Sequence, residues 1–205
     1  MPRNSTGTPG RIVAAASKLF YAQGIRSVSV DDVAAQAGVT KRTLYYHFRS
    51  KDDLIAAYLA ARDAPTIVIV MGWMDAAEGT LADRLEAVFA QLARLARQPK
   101  WRGCGFLRTA AELVATPGHP ALKAGAAHKK KLEAEFASRF AQAGLELPEM
   151  RARQIMLLFD GAFSAMLVHR DASYAEAAGQ AARILTSPRV RGEVGSPKRE
   201  RRRAG

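Results

Sequence analysis

"VSVDDVAAQAGVTKRTLYYHFRSKDDL" occupies residues 28–54, and three helix starts are written into it. Ser29 is followed three residues later by Asp32, Thr40 opens a second run, and Ser50 is followed by Asp53. In each case a hydroxyl side chain stands where it can accept from the unpaired amides of a first helical turn. In two of the three an acid answers from inside the helix. Gly38 closes the first of these helices only two residues before Thr40, as glycine commonly does at a C-terminus. Counting the helix that ends at Gly24, three helices with two sharp breaks within about forty residues make a helix-turn-helix pattern.

The segment after Thr40 sorts its side chains by chemistry. At about 100° per residue, Leu44 and Phe48 fall one turn apart on one face. Val30, Val33, Ala34 and Val39 are apolar partners for that face. Arg42 and Tyr46 point away from it, Thr43 and Tyr45 flank them, and Lys41 stands near the helix start. Such a face suits the major groove, where arginine bonds guanine edges bidentately and threonine and tyrosine reach thymine methyls or phosphates. From Thr40 on, the helix start offers free amides to a phosphate, and Ser29 and Lys51 open the neighbouring helices on either side. Two adjacent exposed tyrosines mark a contact surface rather than an ordinary wet face.

Outward from this segment almost everything reads as helix; the expected class is all-α. Thr8-Pro9 should begin a first helix that buries Ile12, Ala16, Leu19 and Phe20 and ends at Gly24. A fourth helix should run from Lys51 into the 60s, where Pro65 kinks or interrupts it. Further helices are expected at about 81–97, 104–115, 120–143, 149–170 and 174–185, punctuated by proline and glycine.

The chain of 205 residues carries 31 Lys+Arg against 19 Asp+Glu, a formal charge of +12. The excess sits at the ends: nine cations to four acids in residues 1–62, and seven to two in 186–205. A polyanionic partner fits that distribution. The single cysteine, Cys104, excludes an internal disulfide and suits a reducing, cytoplasmic interior. The start "MPRNSTGTPG" lacks the apolar stretch of a secretory signal, and the apolar run at 64–74 reads as too short for a bilayer, so no membrane partner is expected. His47, His119, His128 and His169 are scattered, with no metal-ligand spacing. No nucleophile elbow or phosphate-cradling loop is present, so neither enzyme activity nor a cofactor is expected. The alternatives are a helical enzyme or redox sensor using Cys104, and non-specific nucleic-acid binding through the tail "KRERRR" at 198–203.

Residues 9–54 resemble the DNA-binding domain of the TetR (TetR/AcrR-type) family of bacterial transcriptional regulators. The carrying residues are Ser29, Ala37-Gly38-Val39, Leu44-Tyr45-Tyr46-His47-Phe48 and Ser50-Lys51. One departure is Arg42, where many members have a small residue, so the base step that is read should differ. The resemblance implies that Tyr45, Tyr46, His47 and Lys51 chiefly hold the DNA backbone, while Lys41, Arg42 and Thr43 reach bases. It also implies a partition into an arm (1–8), the helix-turn-helix domain (9–54), a ligand-binding and dimerisation body (55–187) and a disordered basic tail (188–205).

For a homodimer on a palindromic operator, the apolar stripes Ile155, Leu158, Ala162, Ala165, Met166, His169 and Ala178, Ala181, Leu185 are the expected four-helix interface; internal core is the competing assignment. For a small apolar effector, Met71, Met74, Phe89, Cys104, Phe106, Phe136, Phe159 and Phe163 are the expected pocket, though such side chains equally fill cores. Glu112 is either a polar handle in that pocket or a partner of Arg108. Ligand binding should tilt the fourth helix and change the spacing of the recognition helices, about 34 Å on DNA, relieving repression.

Overall fold

The computed structural model describes residues 7–187; residues 1–6 of the expected arm (1–8) and the expected basic tail at 188–205 lie outside the described residues, and Thr8 already belongs to the first helix. Among those described there are nine helices and no strand: α1 (Thr8–Gln23), α2 (Val30–Ala37), α3 (Lys41–His47), α4 (Lys51–Asp75), α5 (Leu81–Ala96), α6 (Gly105–Glu112), α7 (Pro120–Gln142), α8 (Pro148–His169) and α9 (Ser173–Thr186).

The three hydroxyl caps form as the spacing requires. Ser29 Oγ accepts the Asp32 amide at 3.1 Å while the Asp32 carboxylate accepts the Ser29 amide at 2.8 Å. Thr40 accepts from Thr43 at 3.1 Å and Ser50 from Asp53 at 3.0 Å. Gly38 sits in the left-handed region at φ 66°, a conformation that a β-carbon disfavours. It lets the chain leave α2 and enter α3 after two residues. At the first helix the cap differs from expectation. Gly7 holds the N-cap position and Thr8 is already helical, with Pro9 in the first turn, so no side chain caps α1.

Pro65 does not interrupt α4, which runs unbroken for 25 residues. The missing amide deprives the Ala61 carbonyl of its helical partner. Both Ala61 and Pro65 are exposed, so water can take that carbonyl, while burial on either side holds the helix together. Leu54, Ile55, Tyr58 and Leu59 are buried before the proline, and Val70, Met71 and Met74 after it. By length and composition α4 is apolar enough to cross a membrane, contrary to the shorter reading of 64–74. Its buried side chains nevertheless serve two protein cores.

Those two cores organise the chain. One gathers Ile12, Phe20, Val33, Leu44, Leu54 and Tyr58 around the helix-turn-helix, and it takes in Phe106, Leu113 and Ala121 from α6 and α7. The other joins the second half of α4 with α5, α7, α8 and α9, with α5 lying along α9 and α7 along α8. Leu44 is the one fully buried residue of α3. Truncating such a leucine to alanine costs about 2–5 kcal/mol, so the orientation of the outward face of α3 depends heavily on one side chain.

Candidate nucleic-acid interface and ligand cavity

Burial of Leu44 decides what α3 shows to solvent. Tyr46 is 85% exposed and Tyr45 43%; Lys41 and Arg42 are exposed, and Thr43 and His47 are half-buried. The Tyr46 and His47 rings meet edge-on with centroids 5.1 Å apart. Lys41 Nζ reaches Asp31 at 2.9 Å, a pair that holds the ammonium above its ordinary pKa. The Thr43 hydroxyl pairs with Thr40 at 2.9 Å.

The helix starts on either side are also arranged by polar contacts. The Ser29 hydroxyl donates to Asp32 at 2.7 Å, so in this state its proton is committed to the cap rather than free for a phosphate. Hydrogen bonds from Ser29, with Lys51 nearby, hold Asp32 below its ordinary pKa. Lys51 is the first residue of α4. Arg49, with a side chain 92% exposed and 3.3 Å from Asp53, adds a cation to this face that pattern reading passes over, because it lies beyond the last turn of α3.

In the body, a cavity of about 140 Å³ is lined by α4, α5, α7, α8, Tyr21 and the start of α6. Of the expected pocket residues, Cys104, Phe106, Phe159 and Phe163 are in its wall. Met71, Met74, Phe89 and Phe136 are not; they are buried in the second core, packed side chain to side chain, which is the competing outcome for soft and aromatic residues. Pattern reading missed Arg62, Trp101, His128 and Lys129, all in the wall. His128 is buried, stacks on Phe106 with ring centroids 3.7 Å apart, and contacts Asp63 at 2.8 Å. Burial lowers its pKa against the opposing pull of Asp63. Asp63 in turn is held low mainly by Lys131, then by His128.

Glu112 is in neither expected place. It leaves Arg108 to donate to the Tyr21 carbonyl at 2.7 Å. Its own carboxylate accepts the amides of Ile25 at 3.3 Å and Arg26 at 3.0 Å, and Arg26 Nε donates back to the Glu112 carbonyl at 3.0 Å. Gly24, at φ 90°, makes the approach possible: a β-carbon there would come within 3.0 Å of the carboxylate. The turn between α1 and α2 is thus latched to the end of α6, whose other end lines the cavity. Nothing local announces a contact spanning 86 residues of sequence.

The expected dimer stripe is half turned inward. Ile155, Ala162 and Met166 are buried in the second core. Of the other expected residues, Leu158, Ala165, Ala178 and Ala181 are half-buried and line a shallow groove together with Leu157, Gly161, Tyr174 and Ala177, and Val168 and Ile184 are exposed on the same two helices. His169 is exposed and stacks on Tyr174, with centroids 4.7 Å apart, and Leu185 packs partly against the core.

The family model described as "Bacterial regulatory proteins, tetR family" matches residues 12–58. SrpR, an HTH-type transcriptional regulator of Pseudomonas putida, is 41% identical over 58 residues, 28% of this chain and 27% of its own length. The match thus spans about a quarter of that relative. Two solved structures extend the likeness along the chain. SCO4454, a TetR-family transcriptional regulator from Streptomyces coelicolor, superposes with a TM-score of 0.75 at 31% identity, covering 87% of this chain and 94% of that one. The protein sav143 of Streptomyces avermitilis superposes at 0.72 and 30% identity, covering 86% and 98%.

Proposed function

This chain belongs to the TetR family of bacterial regulatory proteins, and on that premise we propose that it binds DNA as a transcriptional repressor, a homodimer on a palindromic operator that a small ligand releases. The observation that carries this reading is the division of α3, with Leu44 buried and Arg42, Tyr45 and Tyr46 turned to solvent. Residues 9–54 form the reading head, with Lys41, Arg42 and Thr43 on base edges. Tyr45, Tyr46, His47, Lys51, Ser29 and Thr40 hold the backbone. Residues 55–187 form the regulatory body, and the protein works in the cytoplasm, where its DNA is.

The exposed apolar face of α8 and α9 supports pairing with a second copy. Its small residues allow two helices from each protomer to approach closely, and recognition by a dimer requires the two α3 helices to be about 34 Å apart. The cavity supports effector binding. A ligand that prefers one arrangement of the body shifts the population of DNA-competent dimers only by its differential affinity. Two elements lead from the cavity to the reading head: α4, and α6 with its Glu112 latch.

Selection of bound fragments from random duplex DNA by the full chain, with the mass of the complex measured by sedimentation, tests the reading. An inverted repeat bound by two protomers is the expected result. Recovery of fragments with no shared sequence, or binding by one protomer, would refute it.

A further inference from the structure

The cavity in the body is apolar over most of its wall, yet its ionisable lining is one-sided. Arg62, Lys129 and His128 line it, and no aspartate or glutamate does. Lys129 is paired with Asp160, and Asp63 is taken by Lys131 and His128. Arg62 is different: among the described residues it has no ion pair, and its Nε is buried without a hydrogen-bond partner. What holds its guanidinium is π-density, with the Tyr21 ring centroid at 4.9 Å and the Tyr58 ring centroid at 5.8 Å. A buried donor edge of a permanent cation is costly to leave unmade.

The surroundings of Arg62 add donors and no acceptor charge. The start of α6 lies beside it: a β-carbon on Gly105 would fall 3.3 Å from Arg62 Nε and 2.6 Å from the Tyr58 hydroxyl. That helix has no side-chain cap, so its first amides are free. The Tyr21 hydroxyl accepts the Arg102 amide at 3.0 Å, which leaves its own proton to give. The rest of the wall is Trp73, Trp101, Phe106, Phe159 and Phe163, with Thr66, Cys104 and aliphatic side chains between them. A cavity of about 140 Å³ is the size that holds one benzene-sized ring.

We propose that the effector is a one-ring aromatic carboxylate, its ring among Trp73, Trp101 and Phe163 and its carboxylate on the Arg62 guanidinium beside the start of α6. This rests on the reading of the cavity as the effector site and names the ligand class. The planar fork of arginine matches a carboxylate in a way that a neutral amide cannot reproduce.

The test uses the full chain with benzoate, benzamide and toluene as probes. Trp73 and Trp101 are its only two tryptophans and both line the cavity, so intrinsic fluorescence reports occupancy directly. Benzoate should change the fluorescence saturably and bind about tenfold or more tighter than benzamide. Arg62→Gln should close that gap while leaving the weaker binding of toluene in place, and Arg62→Lys should restore only part of it. Because the comparison of benzoate with benzamide is made on the unaltered chain, it stands even if a variant folds poorly. Equal affinity for benzoate and benzamide, or a gap that survives Arg62→Gln, overturns the anionic assignment and leaves the cavity as an apolar effector site. If none of the three probes alters the fluorescence, the cavity reading falls together with it.

Discussion

Replacing Glu112 by alanine separates the α1–α2 turn from the end of α6, and the structure sets the size of the effect. Two amides lose their acceptor. That of Arg26 is at the surface and rehydrates; that of Ile25, whose residue is 2% exposed, stays dry. A buried donor left unmade costs about 1–3 kcal/mol. For a domain of this length about 2 kcal/mol lowers the melting temperature by roughly 4–8 °C. Glu112→Gln keeps an acceptor oxygen and should fall by clearly less. Thermal melts of the three proteins followed by circular dichroism at neutral pH decide the stability part. A melting temperature unchanged within a degree, or equal losses for alanine and glutamine, would refute the latch. The functional part needs the operator: in Glu112→Ala, ligand should release DNA less effectively than in the parent. Full release from a destabilised variant would make the contact structural only.

Arg42→Ala should remove discrimination at one base position, about 1–3 kcal/mol for a bidentate guanine contact, in competition binding across single-base operator variants. Lys51→Ala should weaken binding on every sequence alike and reduce the slope of log affinity against log salt by about 1. Ala181→Arg places a charge on the exposed α8–α9 face and should yield a folded monomer in sedimentation. His128 makes stability pH-dependent in a defined window. Its folded pKa lies below the ordinary 6.5 because burial outweighs Asp63, so well above pH 6.5 the ring is neutral in both states. As the pH falls below 6.5 the unfolded chain takes up the proton first and stability drops, levelling below the folded pKa. Asp63, held below its ordinary 3.8, adds a separate loss only under about pH 3.8. Denaturant titrations at pH 7.5 and 5.5 should show the first step in the parent and not in His128→Gln.

Local chemistry made the reading head legible. Ser29 with Asp32, Thr40, Gly38 and Ser50 act within a few residues of themselves, and Leu44 fixes which way Arg42 and Tyr46 face; no distant partner is needed. The same logic stops at Pro65, where the cost of one lost helical bond is local but the burial that outweighs it lies in two cores formed by remote helices. On α8 the run Ile155 to Phe159 is apolar at every position, so periodicity cannot say that Ile155 faces the protein's own core while Leu157 faces outward. The cavity was half readable for a similar reason. Phe159 and Phe89 have the same chemistry, and only packing puts one beside a void and the other, edge-on to it at 5.7 Å, in solid core. Glu112 and Arg62 are polar groups whose partners, or lack of them, exist only in three dimensions.

Pro65 then takes on a meaning beyond the continuity of α4. The first half of that helix is built into the core of the reading head, the second half into the core of the body. The wall of the cavity includes Arg62 before the proline and Thr66, Ile69, Val70 and Trp73 after it. A ligand in the cavity therefore touches both halves across the one point where the helix lacks a backbone bond, and Pro and its neighbours are where helices bend. The start of α6 lies in the same wall and α6 ends on the Glu112 latch, so on the proposed reading a change in the angle of α4 would reach the α1–α2 turn through a second element. Coupling between an effector site and a DNA site typically amounts to about 1–3 kcal/mol, which is the size of the single buried contact between Ile25 and Glu112. On that reading, loosening that latch while bending α4 at Pro65 would supply a differential of the size a ligand needs to shift the protein away from DNA.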